Sequence, residues 1–164
     1  MIKRWLHANL NVRSLDRSVR FYEDLGFRKI YEKSVEDPRT WAKLGLKPGK
    51  MRYAILQLTP KTPVDISAGR SLPGDLSFPV IDMCELIDPP PQGEPYPSLS
   101  NLGIGRLCFE VEDIDEAYEM LKAKGVEFLG PVAPAVRQDG TMYLFCFKDP
   151  DGIIIELGGP RKNV

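Results

Sequence analysis

The sequence predicts an α+β fold made of two modules, each with one strand, one helix and then three further strands. Near the N-terminus, a strand-like alternation of apolar and polar residues is followed by a capped amphipathic helix. The same pattern returns without a gap, 99 residues further along the chain. A proline-rich stretch separates the two copies and reads as an extended linker.

The first module opens with a predicted strand from Trp5 to Val12. Its apolar side chains fall on one face, and His7 and Asn9 fall on the other. Ser14 is a favoured N-cap residue, so a helix is expected to follow it. Gly26 suits the end of that helix, where a glycine readily takes up a positive φ.

Three more strands complete the predicted module: Phe27–Lys33, Met51–Leu58 and Val80–Ile87. Residues 35–50 form an irregular insert with a short helical turn around residues 40–44. Residues 59–79 contain several prolines and glycines. A connection of this length is either a functional loop or a plain surface excursion, and the sequence leaves both interpretations open.

The second module repeats the first. Asp113 caps its helix, and the Asp-Pro-Asp-Gly segment at 149–152 predicts a tight turn into a last strand that contains Glu156. An offset of 71 residues aligns the two last strands and places Glu85 against Glu156. The predicted boundaries are residues 1–88 for the first module, 89–102 for the linker and 103–160 for the second module.

The composition excludes several classes of protein. The chain has 164 residues with 22 basic and 23 acidic side chains, a net charge of −1, so no nucleic-acid partner is expected. It has no apolar run long enough for a membrane helix and no signal-peptide pattern, so no membrane association is expected. The three cysteines, Cys84, Cys108 and Cys146, read as reduced thiols of a cytoplasmic protein.

Four polar residues lie at matching places in the two predicted modules. His7 and Arg106 lie on the two first strands, and Glu85 and Glu156 on the two last strands. Each first-strand residue lies opposite the apolar face that packs on the helix. If the two sheets face each other, all four side chains reach one cavity.

Several segments resemble the vicinal oxygen chelate (VOC) superfamily, which includes glyoxalase I, bleomycin-resistance proteins and extradiol dioxygenases. They are His7–Val12, Asp16–Tyr22, Phe109–Asp115 and Asp149–Leu157. The resemblance implies one VOC domain, with a cupped, barrel-like mixed sheet and helices outside. It also implies a homodimer and a divalent metal held at four strand positions.

By position, His7, Glu85 and Glu156 match three of the implied metal-ligand positions, and Arg106 stands at the fourth. Two accounts of the site therefore stay open. In one, the three residues hold Mn, Fe, Ni or Zn, and Arg106 binds the substrate from the rim. In the other, Arg106 replaces a ligand and pairs with the carboxylates, because a guanidinium has no lone pair to give a metal.

The resemblance implies a small-molecule ligand or substrate. The first functional hypothesis is metal-assisted lyase or isomerase chemistry on a carbonyl- or acid-bearing metabolite. Glu156 or Glu85 is then the base, and Arg106, Asn9 and Tyr143 contact the substrate. The alternative is a metal-free binding protein for an antibiotic or metabolite, of the bleomycin-resistance type. An extradiol dioxygenase ranks lower because it needs two histidines and this chain has one. A pure interaction module is the remaining alternative.

Overall fold

The computed structural model describes residues 7–58, 80–135 and 142–162. The chain divides into two compact units, Met1–Gly93 and Glu94–Val164, which contain the first and second modules. The predicted start of the first strand at Trp5 and the predicted loop 59–79 lie outside the described residues. Within the described ranges, no helix has the length and apolar character needed to cross a membrane.

The first module is a four-stranded mixed sheet with two helices. Its elements are β1 (Ala8–Asn11), α1 (Leu15–Asp24), β2 (Phe27–Val35), α2 (Pro38–Lys43), β3 (Lys50–Leu58) and β4 (Val80–Asp88). The strand order is β1-β4-β3-β2. Strands β1 and β4 run parallel, and the other neighbours are antiparallel.

Local chemistry explains where the helices of this module begin and end. The Ser14 hydroxyl accepts a hydrogen bond from the Arg17 backbone N–H and caps α1. Gly26 follows the helix with a φ of 97°, a conformation that side chains with a Cβ rarely adopt. Helix α2 begins slightly earlier than predicted, because Asp37 caps it and Pro38 occupies its first position.

The second module repeats this architecture with a second four-stranded mixed sheet. Its elements are β5 (Leu107–Glu110), α3 (Ile114–Ala123), β6 (Ala133–Pro134), β7 (Tyr143–Lys148) and β8 (Ile154–Gly159). The strand order is β5-β8-β7-β6, again with one parallel pair, β5 and β8. The α+β prediction of two strand–helix–three-strand modules is therefore confirmed.

The predicted cap and turn of the second module are both present. The Asp113 carboxylate accepts hydrogen bonds from two backbone N–H groups in the first turn of α3. Between β7 and β8, the Asp149 carboxylate accepts from the backbone N–H groups of Asp151 and Ile153. Gly152 has a φ of 92°. This Asx-type turn reverses the chain and delivers β8, which carries Glu156.

Each sheet packs one face against its own long helix. In the first module, fully buried side chains of α1, β3 and β4 form the core: Leu15, Tyr22, Ala54, Leu56, Ile81 and Met83. In the second module, the corresponding residues come from α3, β7 and β8: Ile114, Leu121, Phe145, Phe147, Ile155 and Leu157. The opposite face of each sheet, called the far face below, carries the candidate functional residues.

Candidate functional site

The two faces of β4 carry different side chains. Ile81 and Met83 are buried on the side of α1. Because successive residues of a strand point to opposite faces, Asp82 lies on the far face. In the sheet, Asp82 lies opposite Asn9 of β1 on one side and opposite Ile55 of β3 on the other. The far face of the first module therefore presents a carboxylate in the middle of its sheet.

Glu85 lies on the helix-facing side of β4, and not on the far face where the sequence placed it. Its carboxylate accepts a hydrogen bond from the Leu15 backbone N–H at the start of α1, at 3.3 Å. It also pairs with Arg52 of β3, at 3.4 Å. Arg52 in turn contacts Asp16 at 2.8 Å and Glu32 at 2.7 Å. Glu85 belongs to a charge network that ties α1 to the sheet, and the predicted grouping of Glu85 with His7 is wrong.

His7, Asn9 and Asp82 come together on the far face of the first module. The His7 Nε2 atom lies 3.9 Å from the Asp82 carboxylate, and the two side chains are 38% and 24% exposed. The Asn9 amide donates to the Asp82 backbone carbonyl at 3.1 Å and to the Cys84 sulfur at 3.3 Å. His7 and Asn9 share the far face with Asp82, a carboxylate that the sequence analysis did not select.

Burial sets the proton affinities of this group. Burial raises the pKa of Asp82, while the neighbouring His7 and the Asn9 hydrogen bond lower it by less. Burial, and then the proximity of Asp82, raises the pKa of the Cys84 thiol to about 11. Burial and a hydrogen bond with Tyr31 raise the pKa of Tyr53 to about 12. Asp82 is therefore the carboxylic acid of this face whose pKa is raised above its usual value.

Arg106 and Glu156 form an ion pair in the second module. The Arg106 Nε atom lies 2.7 Å from the Glu156 carboxylate. Arg106 is 43% exposed and Glu156 only 11% exposed, so a nearly buried carboxylate holds a guanidinium that still reaches solvent. Cys108 and Cys146 pair with Glu156 from the two neighbouring strands. The Cys146 thiol donates to the carboxylate at 3.6 Å.

The thiols beside Glu156 are poor nucleophiles. Burial, and then hydrogen bonding to Glu156, raises the pKa of Cys108 to about 11. Burial and the negative charge of Glu156 also raise the pKa of Cys146. Because the thiolate is the reactive form of cysteine, both residues act here as neutral hydrogen-bond donors.

Tyr143 does not join Arg106. It lies two residues from Phe145 on β7 and therefore shares the helix-facing side with that buried ring. The Arg161 guanidinium stacks over the Tyr143 ring, 4.3 Å from its centroid, and Arg161 also pairs with Asp115 of α3. The predicted placement of Tyr143 beside Arg106 is wrong, because the two residues lie on opposite faces of the sheet.

The strand pairing corrects the alignment of the two modules. Asn9 pairs with Asp82, and Cys108, its equivalent 99 residues later, pairs with Glu156. The last strands therefore align with an offset of 74, and Asp82 matches Glu156. A sequence signal for this existed: the run 80–83, Val-Ile-Asp-Met, resembles the run 154–157, Ile-Ile-Glu-Leu. Sequence reasoning missed Asp82 because it matched the wrong carboxylate.

The side chains present do not fit the divalent metal that the resemblance implies. The His7 position of the second module holds Arg106, a permanent cation, whose guanidinium occupies one side of the Glu156 carboxylate. A divalent cation 4 Å from that guanidinium is repelled by roughly 8 kcal/mol at an effective dielectric near 20. In the described part of the chain, no group of three or more His, Cys, Asp or Glu side chains is arranged to hold a metal.

A match to a family model places the chain in a known superfamily. Residues 4–157 match the model of the Glyoxalase/Bleomycin resistance protein/Dioxygenase superfamily. The chain therefore belongs to this superfamily, and the resemblance seen in the sequence is confirmed.

Three relatives illustrate the match. A glyoxalase family protein from Bacillus cereus has a similar structure, with a TM-score of 0.79 and 24% identity over 98% of this chain and 96% of that one. A fosfomycin resistance protein, FosX, from Listeria monocytogenes was crystallised as a mutant with Mn(II) and a dihydroxypropylphosphonic acid. It has a TM-score of 0.52 and 21% identity over 96% of this chain and 90% of that one.

The third relative is the ethylmalonyl-CoA/methylmalonyl-CoA epimerase of Cereibacter sphaeroides. It is 36% identical over 78 aligned residues, which cover 44% of this chain. The match spans 58% of the length of that curated relative.

Proposed function

We propose that this protein catalyses isomerase-type chemistry on a small carbonyl- or acid-bearing metabolite, with Asp82 as the base that removes a proton next to a carbonyl group. The observation that carries this proposal is the Asp82 carboxylate on the far face of the first module, with its raised pKa and His7 at 3.9 Å. A general base works best when its pKa approaches the working pH, and burial moves Asp82 in that direction.

His7 has a supporting role in this proposal. Its imidazole is partly exposed and close to the carboxylate, so it is placed to exchange protons between Asp82 and solvent. Asn9 fixes the backbone of β4 next to Asp82 through its hydrogen bond to the Asp82 carbonyl. Cys84 and Tyr53 keep their protons at neutral pH, so neither residue competes with the Asp82 carboxylate as a base.

Arg106 is proposed as the anion-binding group of the second module. Glu156 holds its Nε atom, and the guanidinium is still partly exposed, so it can bind a carboxylate of a ligand that reaches the far face of this module. The Glu156 carboxylate is engaged by Arg106 and by the Cys146 thiol, so it is not the group assigned as the base. The proposal therefore replaces Glu156 and Glu85 by Asp82 as the base.

The comparison with the Cereibacter epimerase supports the reaction class. An epimerase must remove and return a proton at one carbon, and the 36% identity to that enzyme is the basis for this choice of reaction. The FosX structure with Mn(II) shows that a protein of this fold can hold a metal. Because the donor set here contains Arg106, no step through a metal is proposed. Homodimer formation and a cytoplasmic location stay predictions.

The test measures exchange of the α-proton of methylmalonyl-CoA and ethylmalonyl-CoA in D2O by NMR. Wild-type protein should accelerate deuterium incorporation, and Asp82→Asn should lower the rate by about 10²-fold or more, the usual contribution of a general base. Glu85→Gln is the matched control. It changes a carboxylate three residues away on the same strand but on the other face, so it should keep the wild-type rate per folded molecule.

Equal loss of exchange in both variants, with both proteins folded, would refute the assignment of Asp82. No exchange with the wild-type protein on either thioester, or on a wider set of 2-substituted acids and ketones, would refute the isomerase proposal.

The ion pair of Arg106 with Glu156 favours a second candidate, a metal-free binding protein of the bleomycin-resistance type. A guanidinium already fixed by a carboxylate is a preorganised anion receptor and needs no catalytic group. Saturable calorimetric binding of an anionic ligand, lost in Arg106→Gln and without any turnover, would support this candidate over the isomerase.

A further inference from the structure

A β-bulge in β2 of the first module turns a tyrosine onto the far face. The pairing of β2 with β3 shifts between Lys29 and Tyr31, so Ile30 is the extra residue of the bulge. Tyr31 therefore lies opposite Ile55, which shares the far face with Asp82. Without the extra residue, Ile30 would occupy this position and Tyr31 would point towards α1. Bulges are common next to active sites, where they redirect a side chain.

Tyr31 and Asp82 lie on the two sides of one residue, Ile55 of β3. Ile55 pairs with Tyr31 in β2 and with Asp82 in β4, so the three residues form one row across the sheet. The backbones of the two outer residues are roughly 9–10 Å apart, twice the spacing of neighbouring strands. A small molecule that lies over Ile55 therefore has one polar side chain on each side.

This row of residues is accessible to solvent. The Asp82 side chain is 24% exposed, and Tyr31 and Ile55 are both half-buried. A ligand can therefore reach the Asp82 carboxylate and the Tyr31 side chain from the same face of the sheet.

A second tyrosine holds the first in place. The rings of Tyr31 and Tyr53 have their centroids 5.6 Å apart and are tilted by 44°. Burial raises the pKa of Tyr53, and so does its hydrogen bond with Tyr31, so Tyr53 is the donor in this bond. Accepting the bond polarises the Tyr31 hydroxyl and strengthens the hydrogen bond that its own proton can donate.

We propose that Tyr31 is a catalytic residue that donates a hydrogen bond to the enolate oxygen formed when Asp82 removes a proton next to a carbonyl group. This inference rests on the proposed function. The C–H electron pair becomes the C=C bond, the carbonyl π pair moves to the oxygen, and Asp82 carries the proton until it returns to the same carbon. Tyr31 keeps its own proton and stabilises the new negative charge. Tyr53 is a positioning residue, because it acts through Tyr31.

The other polar groups around Asp82 are less well placed for this role. Arg28 and Lys33 are exposed cations on the same face of β2, but they lie beside the row and not in it. His7 and Asn9 lie on the opposite side of Asp82, and the Asn9 amide is already engaged by the Asp82 carbonyl. The phenol in the row is therefore the group that faces the carboxylate across a bound ligand.

The first test uses the exchange of α-protons in D2O described above. Tyr31→Phe should lower kcat by about 10²-fold with little change in KM, because the hydrogen bond strengthens only as negative charge develops on the oxygen. Tyr53→Phe should lower kcat by about 10-fold, since it acts through Tyr31. The double variant should be no slower than Tyr31→Phe alone.

Tyr118→Phe is the matched control. It removes one hydroxyl from a half-buried tyrosine of α3 in the second module and should keep the wild-type rate. A wild-type rate for Tyr31→Phe, or an equal loss for Tyr118→Phe, would overturn the assignment of Tyr31 and leave the isomerase proposal intact. If the wild-type protein exchanges no proton, the isomerase proposal fails, and a binding measurement decides about Tyr31.

This binding measurement uses 4-nitrophenolate, a coloured planar anion whose oxygen resembles that of an enolate. The protein is Asp82→Asn, whose neutral side chain resembles the protonated base. An absorbance titration should show saturable binding. Adding Tyr31→Phe should raise Kd by about 10-fold or more, the usual value of a hydrogen bond to a charged group, and adding Lys33→Gln should raise it less. Absence of binding, an unchanged Kd with Tyr31→Phe, or a larger effect of Lys33→Gln would overturn the proposal.

Discussion

In each module, an aspartate in the first turn of the long helix forms an ion pair with an arginine, and this arginine differs in position between the two modules. Asp16 in α1 and Asp115 in α3 are equivalent, 99 residues apart, and each is the second residue of its helix. Asp16 pairs with Arg52 from β3, and Asp115 pairs with Arg161, which follows β8. The apolar pattern repeats between the modules, while the arginine that pairs with this aspartate comes from a different position in each module.

The network of the first module is the denser of the two. Arg52 contacts three carboxylates, Asp16, Glu32 and Glu85, and Glu85 also holds the first turn of α1. Arg161 contacts one carboxylate and stacks on one ring. The two modules therefore share the packing of their helices and strands, and they differ in the charge pairs that connect these elements.

The far faces differ in the same way. At equivalent positions, the first module has His7 with Asp82 at 3.9 Å, and the second has Arg106 with Glu156 at 2.7 Å. The two groups of the first pair are farther apart, and those of the second are in direct contact. This difference is the reason for assigning proton transfer to the first module and anion binding to the second.

The substitution of Arg52 is expected to have the largest effect on the free energy of unfolding. Arg52→Met leaves three carboxylates without their shared cation, and one of them, Glu85, is partly buried. After allowance for solvent screening, the free energy of unfolding should fall by about 2 kcal/mol. Arg161→Met, the counterpart in the second module, should cost less than about 1 kcal/mol. Urea unfolding of the two variants checks this order, and equal losses would contradict the contrast between the networks.

The second prediction compares the stability lost by one substitution on each far face. Arg106→Gln leaves the nearly buried Glu156 without its counter-charge and should destabilise the protein by about 1–2 kcal/mol. His7→Gln, at the equivalent position, removes a partly exposed side chain 3.9 Å from its partner and should cost less than about 0.5 kcal/mol. Thermal unfolding of both variants at neutral pH measures the difference. A larger loss for His7→Gln would mean that the first pair is the structural one.

The smallest effect is the response of stability to acid. Hydrogen bonding to Arg52 lowers the pKa of Asp16, and hydrogen bonds to Lys29 and Arg52 lower the pKa of Glu32. The unfolded chain binds protons more readily at these two groups. Their stabilising contribution is therefore complete above the unfolded pKa values, about pH 4–4.5, and is lost as the pH falls through the folded values.

Arg52→Met should reduce this acid sensitivity. Between about pH 5 and pH 3, the Tm of the variant should fall less steeply than that of the wild-type protein. Arg161→Met serves as the reference in the same titration. Parallel curves for wild type and Arg52→Met would show that Arg52 does not hold the two pKa values down.

Much of the architecture could be predicted from local sequence chemistry. Ser14 and Asp113 mark the starts of the helices because each side chain satisfies free backbone N–H groups. Gly26 and Gly152 mark sharp turns because their positive φ suits a residue without a Cβ. Simple alternation along a short strand also assigns His7, Arg106 and Glu156 to the far faces of their own modules, and their roles stay predictions.

Only the tertiary structure decided which carboxylate of β4 faces which side. Asp82 and Glu85 lie three residues apart, so they point to opposite faces, and a slip of one residue in register exchanges their roles. The register is set by pairing with β1 and β3 across the fold, which a local pattern does not contain. The Arg52 network likewise depends on strands distant in sequence. Local sequence thus determined the elements and their order, and long-range pairing determined which side chains form the candidate site.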